Sequence, residues 1–246
     1  MPSLVLFSGG MDSTVALFHT LHRVAHNINL QFQAEKNPGS YHLAPVHCLY
    51  VDYGQRHYRE LRYAKLIYEE AKKIHPTVIG QLDRVYLSGL PPYGSLLNRN
   101  IDVLKYYGDK VEGHDDPAFI PHRNLMFLSF AAMWGRYRKA TEIVTGIRGG
   151  FPDCTEQFEQ LVGETLRQGD PNWPFVISSP VHMSRAETIK LALSIPGCWD
   201  ALGMTMTCFE GAEPPCGHCL PCVKRAEGFA QLCLDDPLLV RLGFTK

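Results

Sequence analysis

The segment Leu4-Val5-Leu6-Phe7-Ser8-Gly9-Gly10-Met11-Asp12-Ser13-Thr14 constrains this chain more than any other. Its apolar start, Leu4 to Phe7, reads as a buried strand, and Thr14-Val15-Ala16-Leu17-Phe18 opens a helical pattern after a short polar turn. A strand, a glycine turn and a helix in this order can hold an anion. Gly9 and Gly10 allow close backbone approach and positive φ, and the N–H groups and dipole of the helix start favour negative charge. Ser8 and Ser13 add hydroxyl donors. Asp12 would repel a phosphate directly, so its useful role is to hold Mg²⁺ against one. A lone Gly-Gly would fit an ordinary turn; the whole Ser-Gly-Gly-x-Asp-Ser string is more specific. It lacks the Gly-Lys-Ser/Thr ending of a Walker A loop, which argues against a kinase or GTPase.

Further along, strands alternate with helices. Val46 to Val51, Arg84 to Leu87, Glu142 to Gly146 and Phe175 to Ile177 read as strands. Helices are expected over Ser13 to Arg23, Tyr58 to Ile74, Asn124 to Trp134 and Glu156 to Arg167, the third apolar almost all round and so read as buried. Ser184 with Glu187 forms a capping box for a helix to Ser194. Residues 33–45 read as a loop or hairpin excursion, and residues 88–120 as a mobile loop with one short helix. The fold class is therefore α/β with a doubly wound parallel sheet. Residues 1–200 are assigned to the main domain and 201–246 to a small cysteine-rich C-terminal cap. There is no internal repeat or low-complexity segment.

The formal net charge is −1, which gives no electrostatic case for nucleic acid or an acidic membrane. No apolar run reaches the roughly 18 residues of a membrane span, and no signal peptide is read, so a cytoplasmic location is expected. Of eight cysteines, Cys208, Cys216, Cys219 and Cys222 are bunched at one end. Bunching points to metal rather than disulfides, and four thiolates suit a closed tetrahedral zinc site with a structural role. Redox or sulfur-transfer chemistry at Cys-x-x-Cys, and coincidence, are the competing readings. His218, inside the cluster, is read as a solvent-facing bystander.

Three segments could recognise a substrate. Asp52-Tyr53-Gly54-Gln55-Arg56-His57 follows the second strand at the carboxyl end, where α/β sheets bind ligands. Arg123 and Asn124 begin the apolar helix and are costly there without partners. In Gly149-Gly150-Phe151-Pro152-Asp153-Cys154, Phe151 and Asp153 could stack and hydrogen-bond a heterocycle, or Asp153 could cap the helix at Glu156.

Ser8-Gly-Gly-x-Asp-Ser13 resembles the PP-loop of N-type ATP pyrophosphatases. With Asp52 to His57, Arg123-Asn124, Phe151 to Cys154, His182-Met-Ser-Arg-Ala-Glu187 and the four-cysteine tail, the order resembles that of 7-cyano-7-deazaguanine synthases, the QueC family, from Leu4 to Phe229. The resemblance implies an adenine nucleotide α-hydrolase-like fold and an ATP-dependent carbon–nitrogen ligase. Such an enzyme adenylates 7-carboxy-7-deazaguanine, releases pyrophosphate, and carries the activated acid through an amide to the nitrile of queuosine biosynthesis, with ammonia as acceptor. It implies ATP contacts at Phe7, Ser8, Gly9, Gly10, Asp12, Ser13, Thr14 and Gly146, and catalytic roles for Asp12, Ser13, Arg123 and Arg185. It implies deazapurine contacts at Asp52, Tyr53, Gln55, His57, Arg123, Asn124, Phe151 and Asp153. Mg²⁺, zinc on Cys208, Cys216, Cys219 and Cys222, and a homodimer follow from the same likeness.

The chain departs from that pattern on the substrate side. Only Ile147-Arg148-Gly149-Gly150 precedes Phe151, so an acidic residue usual there is absent and Arg148 brings the opposite charge. Thr155 stands where arginine is common, Arg185 where lysine is usual, and residues 33–45 resemble an insertion. A divergent, antiphage-type member that stops at the amide or conjugates the activated deazaguanine to a protein amine is the alternative. A tRNA-thiolating PP-loop enzyme and a non-catalytic zinc module are alternatives from other classes.

Overall fold

The computed structural model describes residues 1–34, 44–103 and 116–244. Five parallel strands form one sheet: β1 (Ser3–Leu6), β2 (Val46–Asp52), β3 (Ile79–Tyr86), β4 (Glu142–Val144) and β5 (Val176–Ser178), in the order β3-β2-β1-β4-β5. Val5 in the central strand lies beside Cys48 on one side and Val144 on the other. Side chains alternate between faces. Val5 and Phe7 pack with α1 (Met11–Ala34), α2 (Glu60–Ile74), α6 (Arg185–Ser194) and α7 (Cys198–Leu202). Leu4 and Leu6 pack with α4 (Arg123–Tyr137) and α5 (Glu156–Gly169). Helices on both faces explain why the central strand reads as an unbroken apolar run.

The chain runs from β1 outward to β2 and β3, then returns to place β4 on the other side of β1. The carboxyl ends of β1 and β4 therefore frame a topological switch point, where open α/β sheets hold ligands. Two glycines make the framing possible. Gly9, at φ +84, backs so closely on α2 that a Cβ would meet the Ala64 nitrogen at 2.7 Å. A Cβ on Gly146 would lie 2.5 Å from the Ser13 nitrogen, so the loop after β4 touches the backbone at the start of α1.

Several element bounds differ from the sequence reading. α1 runs on to Ala34, because no glycine or proline interrupts it after Gly10 until Pro38. β3 begins at Ile79 rather than Arg84: it pairs along all of β2, and as an edge strand it carries Gly80, Gln81 and Asp83, which hide the pattern. The expected short helix within 88–120 is α3 (Gly94–Leu97). The described parts of that loop pack rather than project, with Leu96, Ala118 and Ile120 buried against Tyr53. Residues 104–115 and the centre of the 33–45 excursion, 35–43, lie outside the described residues.

α4 corrects a stronger expectation. Its apolar composition does not mean burial all round. Leu128, Ala131, Ala132 and Gly135 face the sheet, while Leu125, Met133 and Tyr137 are exposed. Its N-cap, His122, adopts the left-handed conformation at φ 61, an unfavourable setting for a non-glycine residue that aims Arg123 and Asn124. α5 is capped by Thr155, whose Oγ1 accepts from the Phe158 N–H at 3.1 Å, and not by Asp153. The Ser184–Glu187 capping box is present.

The C-terminal segment adds α8 (Leu220–Gln231) and α9 (Pro237–Arg241). It shares the main core through Phe229. Arg225 binds both Asp236 oxygens at 2.6 and 2.9 Å, the Thr205 hydroxyl at 2.6 Å and the Leu202 carbonyl at 3.0 Å. A buried guanidinium so fully paired avoids the cost of an isolated charge and ties α7, α8 and α9 together. Among the described residues, no helix is long and apolar enough to cross a membrane.

Candidate active site

A cavity of about 510 Å³ opens at the carboxyl ends of β1, β2 and β4. One end is formed by the loop after β1. There Ser8 N–H donates to Ser13 Oγ at 3.3 Å, Gly10 N–H donates to Ser8 Oγ at 3.2 Å, and the two hydroxyls lie 3.1 Å apart. These long bonds leave hydroxyl oxygens in positions where an anion's oxygens could accept instead. Phe7, Ser8, Gly10, Asp12, Ser13 and Gly146 line the cavity. Gly9 and Thr14 do not. Gly9 turns its back to α2, and the buried Thr14 hydroxyl donates to the Gly10 carbonyl at 2.8 Å, holding the first turn of α1.

Asp12 is held by cations. Its Oδ1 accepts from Arg185, and Arg148 NH1 lies 3.8 Å from the same oxygen. Arg123, Arg148 and Arg185 all line the cavity, and each has one buried guanidinium nitrogen without a hydrogen-bond partner. Three guanidinium side chains lining one cavity suit an anionic ligand. Burial and the charge of Arg185 hold the Arg148 guanidinium below its ordinary range. Arg123 is raised: burial opposes its charge, but Tyr53, Cys154 and Asp153 outweigh that.

The other end is aromatic. Tyr53 packs on Phe127 at 5.2 Å between ring centroids, and Phe151 on Phe119 at 5.5 Å. Burial pushes the Tyr53 hydroxyl up to about 12, so it is a neutral donor near neutral pH. Gln55 lines the cavity, but its amide is engaged: Oε1 accepts from the Tyr53 N–H at 3.0 Å and Nε2 donates to the Tyr50 hydroxyl at 2.9 Å. His57 lies 3.3 Å from Glu60, leaves its buried Nδ1 unpaired, and stacks near Phe209.

Asn124 reaches the cavity, and its Nδ2 donates to the Asp153 carbonyl at 3.0 Å and the Cys154 sulfur at 3.2 Å. Asp52 and Asp153 do not line the cavity. Asp52 accepts from Arg84 at 2.5 Å and from the Gly54 N–H at 3.2 Å, pinning the loop it begins. Asp153 accepts from the Asn124 N–H at 3.2 Å, joining the α4 start to the loop before α5. Both are engaged by neighbouring residues in these loops.

Sequence reasoning missed two contributions. Buried Glu159 accepts from Thr145 at 2.5 Å and lies 2.7 Å from His182 Nε2, so it anchors the strand end that carries Gly146 and Arg148. A mid-helix glutamate gives no local hint of this. The C-terminal segment also supplies a wall of the cavity, through Met206, Thr207, Phe209, Leu220, Pro221 and Lys224. Their only sequence signal is their proximity to the four cysteines.

Cys208, Cys216, Cys219 and Cys222 place their sulfurs within 4.8 Å of one another, with Cys216 and Cys222 4.0 Å apart. A tetrahedral zinc with bonds of about 2.3 Å needs sulfurs about 3.8 Å apart, so the cluster fits such an ion with small adjustment. None of the four lines the cavity, which disfavours their use as sulfur carriers to a substrate there.

Together, the switch-point loop, the cationic and aromatic cavity and the metal-competent knot define a doubly wound α/β protein with a pocket at the carboxyl ends of its strands. The family model for the queuosine biosynthesis protein QueC matches residues 39–233. The 7-cyano-7-deazaguanine synthase of Chromobacterium violaceum is 35% identical, over 97% of this chain and 93% of that protein. The synthase of Laribacter hongkongensis is 34% identical, over 98% and 95%, and 7-cyano-7-deazaguanine synthase 2 of Desulfitobacterium hafniense is 32% identical, over 96% and 91%. The chain belongs to the QueC family, and it is an enzyme.

α8 also bears directly on Arg185. A Cβ on Gly228 would lie 2.2 Å from Arg185 Cγ and 3.0 Å from its Cβ, on the stem rather than the mobile tip. Gly228→Ala is expected to push the Arg185 guanidinium out of its place in the cavity, weakening ATP binding about 10-fold and costing about 1–3 kcal/mol of stability. Titration calorimetry and thermal melts check both; unchanged nucleotide affinity would refute the coupling.

Proposed function

We propose that this chain is an ATP-dependent 7-cyano-7-deazaguanine synthase that adenylates the carboxylate of 7-carboxy-7-deazaguanine. The observation that carries the reading is the convergence of Arg123, Arg148 and Arg185 with the Ser8–Ser13 loop on one cavity. ATP lies with its triphosphate on that loop, where amides, hydroxyls and the α1 dipole meet it. The deazapurine lies among Tyr53, Phe127 and Phe151. A carboxylate is a poor electrophile, and its oxygen attacks the α-phosphorus while pyrophosphate departs with the electron pair of the broken P–O bond. Ammonia then attacks the acyl carbon and AMP leaves, giving the amide. A second adenylation, on the amide oxygen, lets AMP leave with that oxygen while both N–H protons are lost as the nitrile forms. Arg185 and Ser13 stabilise charge on the departing phosphates, and Arg123 holds the opposite side of the cavity.

Asp12 suits a hard cation, since its carboxylate stands at the loop mouth. Asp12, now paired with Arg185, would hold Mg²⁺, which would supply neutralisation of phosphate charge. Incubation with Mg-ATP, ammonium and 7-carboxy-7-deazaguanine should give AMP and, by mass spectrometry, the nitrile. Asp12→Ala should lower turnover by roughly 100-fold or more with folding retained. AMP formation indifferent to the deazapurine, or an active Asp12→Ala variant, would sink the reading; amide or a modified polypeptide as sole product would assign the divergent activity instead.

Zinc on the four cysteines pins the C-terminal wall to the domain. Purified protein should carry roughly one zinc per chain, and Cys222→Ser should lose it and melt at a lower temperature, because metal binding is folding free energy here. Metal analysis finding no zinc in fresh protein would refute this.

The exposed apolar stripe of α4, with Met133 at 63% and Tyr137 at 74% exposure, supports a homodimer through that helix. Light scattering should report a dimer, and Met133→Glu with Tyr137→Glu should yield monomer; a monomeric parent protein rules the dimer out.

A further inference from the structure

Arg148 lines the same cavity, but no step of the adenylation just described is assigned to it. It sits in the loop between Gly146, which touches Ser13, and Phe151, which belongs to the aromatic end. It therefore stands between the glycine-loop end and the aromatic end of the cavity. The arrangement around it is already that of a carboxylate receptor. Asp12 Oδ1 accepts from Arg185 and lies 3.8 Å from Arg148 NH1, so one carboxylate oxygen occupies the space between two guanidiniums. The buried NH1 has no hydrogen-bond partner of its own. The neighbouring loop glycines leave room for an incoming group: a Cβ on Gly149 or Gly150 would meet nothing within 4 Å.

We infer that Arg148 is a specificity-determining residue that binds the carboxylate of the substrate acid, with Asp12 occupying that slot until Mg-ATP draws it away. The inference rests on the adenylation reading. In the step it serves, a carboxylate oxygen forms a bond to the α-phosphorus, the α–β P–O bond breaks, and the electron pair leaves with pyrophosphate; no proton moves. Arg148 holds the acid and excludes its uncharged counterparts from the first half-reaction. A guanidinium suits this because its fork matches a carboxylate's geometry.

The test is binding at saturating Mg²⁺ and α,β-methylene-ATP, which cannot release pyrophosphate. The ligands are 7-carboxy-7-deazaguanine and its carboxamide, titrated into the full chain and into Arg148→Gln and Arg148→Lys. Arg148→Gln should weaken the acid at least ~10-fold, while the carboxamide and the nucleotide analogue change less than ~3-fold. Arg148→Lys should restore part of the acid affinity. Equal loss of acid and carboxamide, loss of nucleotide affinity instead, or no loss of acid affinity would each overturn the assignment. If the parent protein binds neither deazapurine, the adenylation reading itself fails; if it binds the acid and Arg148→Gln binds it as well, only the role of Arg148 fails.

Discussion

Two backbones meeting at the sheet's switch point hold this site together. Gly146 approaches the Ser13 nitrogen so closely that no side chain fits between them, and Gly9 does the same against Ala64. The first contact clamps the loop after β4 onto the start of α1; the second sets the phosphate-type loop on α2. Of the charged groups that line the cavity, Asp12, Glu60 and Arg148 hang from these segments. Asp12 and Ser13 ride on α1, Arg148 follows Gly146 by two residues, and Glu159 holds Thr145 just before it. A shift at either contact moves acid and cations relative to each other, and electrostatic stabilisation tolerates little of that.

A net charge of −1 conceals a strongly uneven distribution. Arg123, Arg148 and Arg185 converge on a cavity in which, among the lining residues, Asp12 and Glu60 are the carboxylates. Asp12 is held by Arg185, and Glu60 lies beside His57. An excess of guanidinium in a partly enclosed space interacts more strongly with an anion than the same charges would in open water. The neutral total and the cationic cavity are therefore compatible: the first concerns the outer surface and bulk association, the second the ligand.

The cysteine knot looks peripheral in the chain yet is close to the chemistry in space. Cys219 precedes α8 and Cys222 lies in its first turn, and that helix contributes Leu220, Pro221 and Lys224 to the cavity while Gly228 packs on Arg185. Met206, two residues before Cys208, donates its N–H to the Gly9 carbonyl at 3.1 Å. A metal that orders this knot thus orders one wall of the site and one strut of the glycine loop, without touching a substrate.

The local pattern of the chain carried much of this. The buried first strand, the glycine turn, the capping box at Ser184 and the cysteine spacing are short-range signals, each set by the conformational demands of a few adjacent residues, and they specified an α/β parallel sheet with an anion loop and a metal-competent tail. Asp52 and Asp153 share those loops, but whether a carboxylate faces a ligand or pins a neighbour depends on partners far along the chain, Arg84 for one and Asn124 for the other. The exposed side of α4 is equally invisible in its composition, because burial depends on which elements happen to cover it. Only the folded chain set Arg148 and Arg185, 37 positions apart in sequence, on the same oxygen of Asp12, for such a meeting arises from sheet order and helix packing rather than from any run of residues.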